Sequence, residues 1–255
     1  MLYNSKNFLA LIIICLFSSC YHKEMHYSID PSYGGVISGT SCYYLANIRE
    51  YKMPKGISTF PDGGMSKEIR NLFGLFKTDT TTNSTVLVTR LGEISGWPSR
   101  YSARIEKSNS FIAIGIVNVT QPDSISGIYL FNLKTEKIEK YSKKGSLPSL
   151  SKNGSLIVYC EHNKLVIEDF STKNKLFSYL LNFEPVFVTW KSDNEIYLFL
   201  SNPLRVKVLN FSTGVTSNTG SRFIKNFNQE VDIQKISKMI VGSPEELKNL
   251  LDKYH

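Results

Sequence analysis

Weak internal repetition with a period of about 40 residues is the feature that most constrains how this chain can fold. Three stretches align, each with an apolar residue, a polar turn and an apolar strand, at 105–114, 150–159 and 190–199. Their first residues are 45 and 40 positions apart. A unit of this size buries its apolar side chains only by stacking on its neighbours, so the pattern predicts a modular fold.

A second shared element follows in each copy and has the pattern of a strand running into a tight turn. It occurs at 129–135, 166–172 and 208–214, where Asn or Asp is followed by an apolar residue, a polar residue and Thr. Asx and Thr side chains bond backbone groups in such turns, and Gly214 tolerates positive φ. A further strand then leads away, for example at 175–180. Each copy therefore supplies three or four short strands.

Repeats of this length and strand content are typical of β-propeller blades. Residues 148–154, Pro-Ser-Leu-Ser-Lys-Asn-Gly, resemble the Pro-Ser-Trp-Ser-Pro-Asp-Gly turn of TolB-like and WD40-like propellers, with Leu150 in place of the aromatic residue. Trp190 keeps that aromatic residue in the next copy, and we expect it in the core of a blade. The resemblance covers residues 100–222.

Two less regular stretches upstream, 43–48 and 72–91, bring the number of blade-like units to about five. Strands near both termini would supply a sixth unit and close the ring. We therefore predict an all-β fold, a β-propeller of about five to six blades. The alternative is a β-sandwich whose strands alternate at similar spacing.

The C-terminal segment 243–255 changes character and predicts a short helix. Ser243 is a suitable N-cap, Pro244 suits the first turn, and Glu246 is placed for a capping box. The apolar residues that follow share one face at helical spacing: Leu247, Leu250, Leu251 and Tyr254. We expect this face to pack on the β domain, with a partner-binding helix as the alternative.

The N-terminus carries a targeting signal. Residues 8–17 form an unbroken apolar run, FLALIIICLF, which is too short to span a bilayer and fits a secretory signal. The following sequence, Leu16-Phe17-Ser18-Ser19-Cys20, resembles the lipobox of bacterial lipoproteins, with Phe17 where Leu is usual. This resemblance implies cleavage before Cys20 and lipid on its sulfur. A cleaved signal without lipid and an uncut signal anchor are the alternatives.

These features divide the chain into a signal peptide (1–19), a tether (20–33), a propeller-like domain (34–242) and the helix (243–255). By the same resemblance, Tyr21 after the lipidated cysteine implies sorting to the outer membrane. We expect a protein of the bacterial cell envelope that faces the periplasm. Its partners would be the membrane, through the N-terminal lipid, and an envelope protein.

Composition and charge restrict the classes of function that we expect for this chain. The chain is 42% hydrophobic and 20% charged, which is ordinary for a globular protein. The net charge is +8, but the lysines are scattered and no nucleic-acid-binding motif accompanies them, so we predict no nucleic-acid partner.

An oxidising compartment permits a disulfide between Cys42 and Cys160. Because Cys160 continues a buried-looking strand, we expect two free core thiols instead.

Motifs of known chemistry are missing from the sequence. It has no nucleophile elbow, P-loop or dinucleotide-binding glycine pattern. His22 and His26 bracket Glu24 in the predicted tether, but a zinc protease places Glu directly after the first His. Cys160 and His162 are expected to be a core residue and a loop residue, not a thiol–imidazole pair. We assign no catalytic, cofactor-binding or metal-binding residue.

The leading hypothesis is a non-catalytic binding or scaffolding module of the cell envelope. One alternative is a propeller enzyme acting on glycans, lactones or peptides, which would gather three or more Asp, Glu or His side chains at the channel mouth. Mouth loops rich in Lys and Asn would argue against it. The other alternative is a glycan-binding adhesin, which needs exposed aromatic residues such as Trp97 and Trp190.

Overall fold

A computed structural model describes residues 23–30, 35–54, 67–94, 101–108, 110–118, 124–201, 204–219 and 243–254. Within these ranges the chain folds into four antiparallel sheets and one helix. None of the helices in this part of the chain combines the length and the apolar character needed to cross a lipid bilayer.

The first sheet differs from the other three in its edge strand. Its strands are β1 (Lys23–Asp30), β2 (Gly35–Ser38), β3 (Ser41–Pro54), β4 (Lys67–Asp79) and β5 (Thr85–Gly92). Strands β3, β4 and β5 follow one another in the sheet, while β1 and β2 both pair with the same edge of β3. β2 lies along the first four residues of β3, and β1 lies along the last eight.

The second, third and fourth sheets are simple four-stranded meanders. The second contains β6 (Tyr101–Lys107), β7 (Phe111–Asn118), β8 (Gly127–Asn132) and β9 (Lys137–Ser142). The third contains β10 (Ser146–Leu150), β11 (Leu156–Glu161), β12 (Lys164–Asp169) and β13 (Lys175–Leu180). The fourth contains β14 (Pro185–Ser192), β15 (Glu195–Ser201), β16 (Leu204–Asn210) and β17 (Val215–Thr219).

The second and third strands of the meanders are buried on both faces, whereas the fourth strands are largely exposed. In β7, residues 112–116 are all buried, and β11 and β12 contain similar buried runs. Continuous Ile, Val and Leu suit these strands because the second and third sheets pack against neighbouring sheets on both faces. Strands β9 and β17 are mostly polar, and β13 is largely exposed although it contains Leu176 and Leu180. They form the outer rim.

The sheets pack on one another in chain order through their first strands. β2 and β3 contact β6, β10 contacts β6 and β7, and β14 contacts β10 and β11. Apolar clusters fill the spaces between sheets, with Tyr43, Leu75 and Ile114 between the first two. Successive four-stranded meanders joined at their inner strands are blades of a β-propeller, so the predicted all-β propeller fold is confirmed. Four sheets packed in succession exclude a two-sheet sandwich.

The described residues form four blades, fewer than the five to six predicted. The stretches 43–48 and 72–91, which we counted as two units, are strands β3, β4 and β5 of a single sheet. Because β3 and β4 are unusually long, the two stretches resemble separate repeats in the sequence although they belong to one sheet.

Most of the segment predicted as a tether (20–33) is a strand. Lys23–Asp30 forms β1 and pairs residue by residue with β3, from Lys23 opposite Pro54 to Asp30 opposite Asn47. Tyr27 and Ile29, two positions apart and so on one face, pack against a buried cluster of the first sheet. That alternation is the physical reason why the segment pairs with the sheet.

The predicted C-terminal helix is confirmed as α1 (Pro244–Tyr254). The Ser243 N–H donates to Glu246 Oε2 at 2.7 Å and the Glu246 N–H donates to Ser243 Oγ at 3.2 Å, which is a complete capping box. Leu247 and Leu251 are buried against the first sheet together with Tyr44 and other apolar residues. The helix therefore packs on the β domain as expected, on the face of the first blade opposite the second blade.

Strands β3 and β4 extend well beyond the blades. They contain 14 and 13 residues, whereas strands in the other three sheets contain five to eight. β5 pairs only with residues 73–78 of β4. Residues 49–54 of β3, residues 67–72 of β4 and strand β1 thus form a three-stranded extension, called the arm below. Six residues of strand correspond to about 20 Å.

An ion pair within the arm, Glu50–Arg70, is linked to the helix. The Glu50 carboxylate accepts hydrogen bonds from Arg70 Nε and, at 3.0 Å, from the Tyr27 hydroxyl. Arg70 Nη1 also donates to Asp252 Oδ1 on the helix at 2.9 Å. The bond from Arg70 holds the pKa of Glu50 below its ordinary value, against the effect of burial. One network therefore ties β1, β3, β4 and α1 together.

Candidate functional site

One end of the blades carries the turns that follow each inner strand, and we call it the mouth end. In an antiparallel meander, the turn after the first strand and the turn after the third strand lie at the same end of the sheet. Three exposed lysines stand at the ends of successive inner strands, namely Lys107, Lys152 and Lys191. Lys107 Nζ donates to the Ile37 carbonyl at 3.2 Å, and Lys191 Nζ lies 2.8 Å from Glu195 Oε2.

A cleft of about 240 Å³ opens at the mouth end between the second and third blades. It is lined by residues that end β6 and β10: Lys107, Ser108, Leu150, Ser151 and Lys152. Ser108 Oγ donates to the Ser151 carbonyl at 3.3 Å across the junction of the two blades. The wall is thus fixed by blade packing, and the rim carries two cations.

Beside the cleft, polar side chains from three inner strands meet in what we call the inner cluster: Glu106, Ser149 and Thr189. Ser149 Oγ donates to Glu106 Oε1 at 2.7 Å. Thr189 Oγ1 lies 3.4 Å from the same carboxylate oxygen and 3.5 Å from Ser149 Oγ. Ser149 is fully buried, so its hydroxyl needs a hydrogen-bond partner, and the Glu106 carboxylate is that acceptor.

Aromatic residues complete the junction of the inner strands. The Arg104 guanidinium stacks over the Phe187 ring at 3.6 Å, which is a close cation–π contact. Trp190 Nε1 donates to the Ser149 carbonyl at 3.0 Å, and its ring lies edge-on to Phe211. Trp190 is half-buried between the third and fourth blades, in line with the expected core position. Its side chain therefore does not form an exposed platform for a sugar.

The chemistry available at this end is recognition by cations and hydroxyl groups. In the described ranges, no three His, Cys, Asp or Glu side chains are grouped so that they could hold a metal ion. The mouth turns of the third and fourth blades instead present Lys152, Asn153, Lys191 and Asn194. The convergence of acidic or imidazole groups that the enzyme alternative requires is therefore not found among the residues whose placement is described.

The residues singled out from sequence fall into separate places. Cys20, His22 and Trp97 lie outside the described ranges. His26 is in the arm, where its ring stacks on Tyr51 with centroids 5.8 Å apart. His162 is an exposed turn residue with φ of 56°, while Cys160 is buried, so they do not form a thiol–imidazole pair.

Both described cysteines are free thiols in separate clusters. Cys42 lies under the helix on the first blade, and Cys160 lies between the third and fourth blades. Burial raises the pKa of Cys42 to about 11 and that of Cys160 to about 12. Thiols with such pKa values react slowly at neutral pH.

The inner cluster was not identified from the sequence, although the repeats contain a signal for part of it. The aligned residues Ile105, Leu150 and Trp190 are preceded in each copy by a polar residue, namely Arg104, Ser149 and Thr189. A polar residue at the same position of each inner strand indicates a polar layer where these strands meet. Glu106 has no such signal, because the matching positions hold Ser151 and Lys191.

Comparisons with known proteins give fold-level likeness only. No protein-family model matches the chain, and no curated protein matches it. Among solved structures, the β-propeller domain of Swd1 from Myceliophteria thermophila shares 14% identity at a TM-score of 0.36, over 52% of this chain and 44% of that one. Saccharomyces cerevisiae Sqt1 shares 10% identity at 0.38, over 71% and 58%.

Regucalcin, a calcium-binding protein from Agrobacterium tumefaciens, shares 12% identity at a TM-score of 0.43, over 74% of this chain and 72% of that one. The chain thus spans less than two thirds of the first two structures. Because all three scores lie below 0.5, the propeller assignment rests on the four blades and their packing. No ligand or partner is transferred from these proteins to this chain.

Proposed function

We propose that this protein is a lipid-anchored, non-catalytic binding or scaffolding module of the bacterial cell envelope. Residues 1–19 would direct export and be removed, and lipid on Cys20 would hold the folded blades at the outer membrane, on its periplasmic side. The apolar run at 8–17 and the lipobox-like sequence ending at Cys20 support this location.

The observation that carries the binding role is the cleft between the second and third blades. Its wall is fixed by a hydrogen bond between the blades, and Lys107 and Lys152 stand at its rim. A rigid, cationic cleft suits acidic side chains or other anionic groups of an envelope partner. The hydroxyl groups of the neighbouring inner cluster already bond to one another and to Glu106, which favours a structural role for that layer.

Metabolic labelling with palmitate tests the anchor. The wild-type protein is expected to incorporate label, and the Cys20→Ala variant is expected to incorporate none. Wild-type protein that is exported but carries no label would contradict the lipid anchor.

Affinity capture from detergent-extracted envelopes tests the cleft. A Lys107→Glu/Lys152→Glu double variant should capture at least about tenfold less partner than wild type, because it reverses the charge at the rim. The matched control is Lys137→Glu/Lys175→Glu, which changes two exposed lysines on the outer strands β9 and β13. Equal loss in both variants, or no reproducible partner for wild type, would count against a binding role at the cleft.

A further inference from the structure

We propose that the arm is the surface through which the folded body rests on the lipid bilayer, with its tip at the headgroups and the mouth end directed away from the membrane. This inference rests on the proposed lipid at Cys20. It adds a contact surface and an orientation, which the anchor alone does not specify.

The first argument is the short distance between the lipid site and the arm. Strand β1 begins at Lys23, three peptide steps from Cys20. Three steps span at most about 11 Å even when fully extended. Lys23 is paired with Pro54 at the tip of the arm, so a lipid on Cys20 would hold that tip close to the membrane. A long, flexible tether of the kind expected from the sequence would impose no such restriction.

The second argument is the chemistry of the arm surface. Met25 is 40% exposed and Ile69 is 42% exposed, and both are large apolar side chains. Lys52 is exposed and sits directly opposite Met25 in the register, so the two side chains share a face. Met25 beside Lys52 combines an apolar group with a cation, which suits the boundary between acyl chains and anionic headgroups.

The third argument is that the arm is rigidly connected to the blades. Its strands β3 and β4 continue without interruption into the first blade, and the Glu50–Arg70–Asp252 network fixes it to the helix. The mouth end lies at the opposite end of these strands, beyond Ser41 and Asp79. An arm held at the headgroups would therefore leave the lysine-rimmed cleft open to the aqueous side.

Depth-dependent fluorescence quenching tests this orientation on the mature lipidated protein. A fluorophore is attached in separate variants at Met25→Cys and Ile69→Cys on the arm, and at Ile37→Cys as the matched control. Ile37 is 50% exposed in β2 of the same sheet but lies at the mouth end. The native thiols Cys42 and Cys160 are buried, so labelling at neutral pH is directed to the introduced cysteine.

Each labelled protein is reconstituted into vesicles of phosphatidylethanolamine and phosphatidylglycerol that contain headgroup-quencher lipid. Quenching at positions 25 and 69 should exceed that at position 37 by at least about twofold, because an interfacial segment lies within the headgroup region. Equal quenching at the three positions, or stronger quenching at position 37, would overturn the placement of the arm.

Flotation of these samples, and of the unlabelled wild-type protein in the same vesicles, separates the two proposals. A wild-type protein that does not float with the vesicles refutes the lipid anchor, and with it the placement of the arm. A protein that floats but shows no excess quenching at positions 25 and 69 refutes only the placement of the arm. Each labelled variant must keep the wild-type Tm, which shows that the label has not disrupted the first blade.

Discussion

At the scale of residues, one turn design occurs in all four blades between the third and fourth strands. An Asx side chain accepts the N–H of the Thr three positions later, at 3.0, 3.1, 2.8 and 3.2 Å in chain order. The next residue has φ between 52° and 71°, and its N–H donates to the Asx carbonyl. The four turns are 79–83, 132–136, 169–173 and 210–214.

The repeat predicts the turns at 132–136, 169–173 and 210–214 but not the turn at 79–83. The turn at Asp79 lies 53 residues before the turn at Asn132, whereas the later spacings are 37 and 41. The long strands and connections of the first sheet break the period. The period of about 40 residues therefore does not identify the turn at Asp79, which is recognised from its hydrogen bonds.

Glycine at the left-handed position of the turn at 169–173 should stabilise the protein, whereas glycine within a strand should destabilise it. Lys173 has φ of 59°, a conformation that costs a non-glycine residue about 1 kcal/mol. Lys173→Gly should therefore raise the free energy of unfolding by about 0.5–1 kcal/mol in urea titration. The control Lys175→Gly, two residues later in β13, should lower it. A Lys173→Gly variant less stable than its control would contradict the strained turn.

At the scale of elements, the meanders of the last three blades followed from the sequence, whereas the first blade did not. The strands of residues 101–219 are short and regularly spaced, so their pattern is local. In the first sheet, the innermost position is shared by β1 and β2, which pair with different halves of β3. Pairing of one long strand with two short ones depends on tertiary contacts that no local periodicity encodes.

Helix α1 should contribute to stability mainly through its buried face. Leu251 is fully buried against the first blade, so Leu251→Ala should lower the free energy of unfolding by about 3 kcal/mol. Asn249→Ala, on the exposed side of the same helix, should change it by less than about 0.5 kcal/mol. Chemical denaturation of the two variants checks this. Equal small effects would mean that the helix does not pack on the blade.

The Glu50–Arg70 ion pair within the arm should make stability depend on pH in the acid range. The pKa of Glu50 is lowered in the folded state, chiefly by Arg70, so its stabilisation is present above the unfolded pKa of about 4.3 and is lost as pH falls through the folded pKa. Arg70→Gln should lower stability at pH 7 by about 2 kcal/mol, less than for a fully buried pair, because the Arg70 side chain is 23% exposed.

Measurement of Tm against pH separates this effect from a general loss of packing. Below pH 4.3 the wild-type Tm should fall more steeply than that of Arg70→Gln, since the variant has already lost the bond that depresses the pKa of Glu50. Parallel curves for the two proteins would show that the ion pair does not stabilise the arm.

At the scale of the whole molecule, the blades are joined near the axis by bonds between residues far apart in sequence. Ser149 and Glu106 are 43 positions apart, and Thr189 and Glu106 are 83 apart. Such contacts form only once neighbouring blades have packed. For that reason the sequence predicted the fold class and the core position of Trp190 but not this polar layer.

Loss of one axial hydroxyl should therefore destabilise the whole domain. Ser149→Ala removes a buried hydrogen bond to the Glu106 carboxylate and should cost about 2 kcal/mol. Ser178→Ala, exposed on the rim strand β13, should be neutral within about 0.5 kcal/mol. Urea titration of both variants provides the comparison. A neutral Ser149→Ala would show that the blades are held together by apolar packing alone.

The central claim is that a propeller-like body is held at a membrane by lipid on one cysteine, three residues before its first strand. Mass spectrometry of the N-terminal peptide of the protein purified from envelopes tests this most directly. The account predicts that the chain begins at Cys20 and carries acyl chains on that residue. A chain that begins at Met1, or one that has an unmodified Cys20 and stays in buffer without detergent, would contradict it.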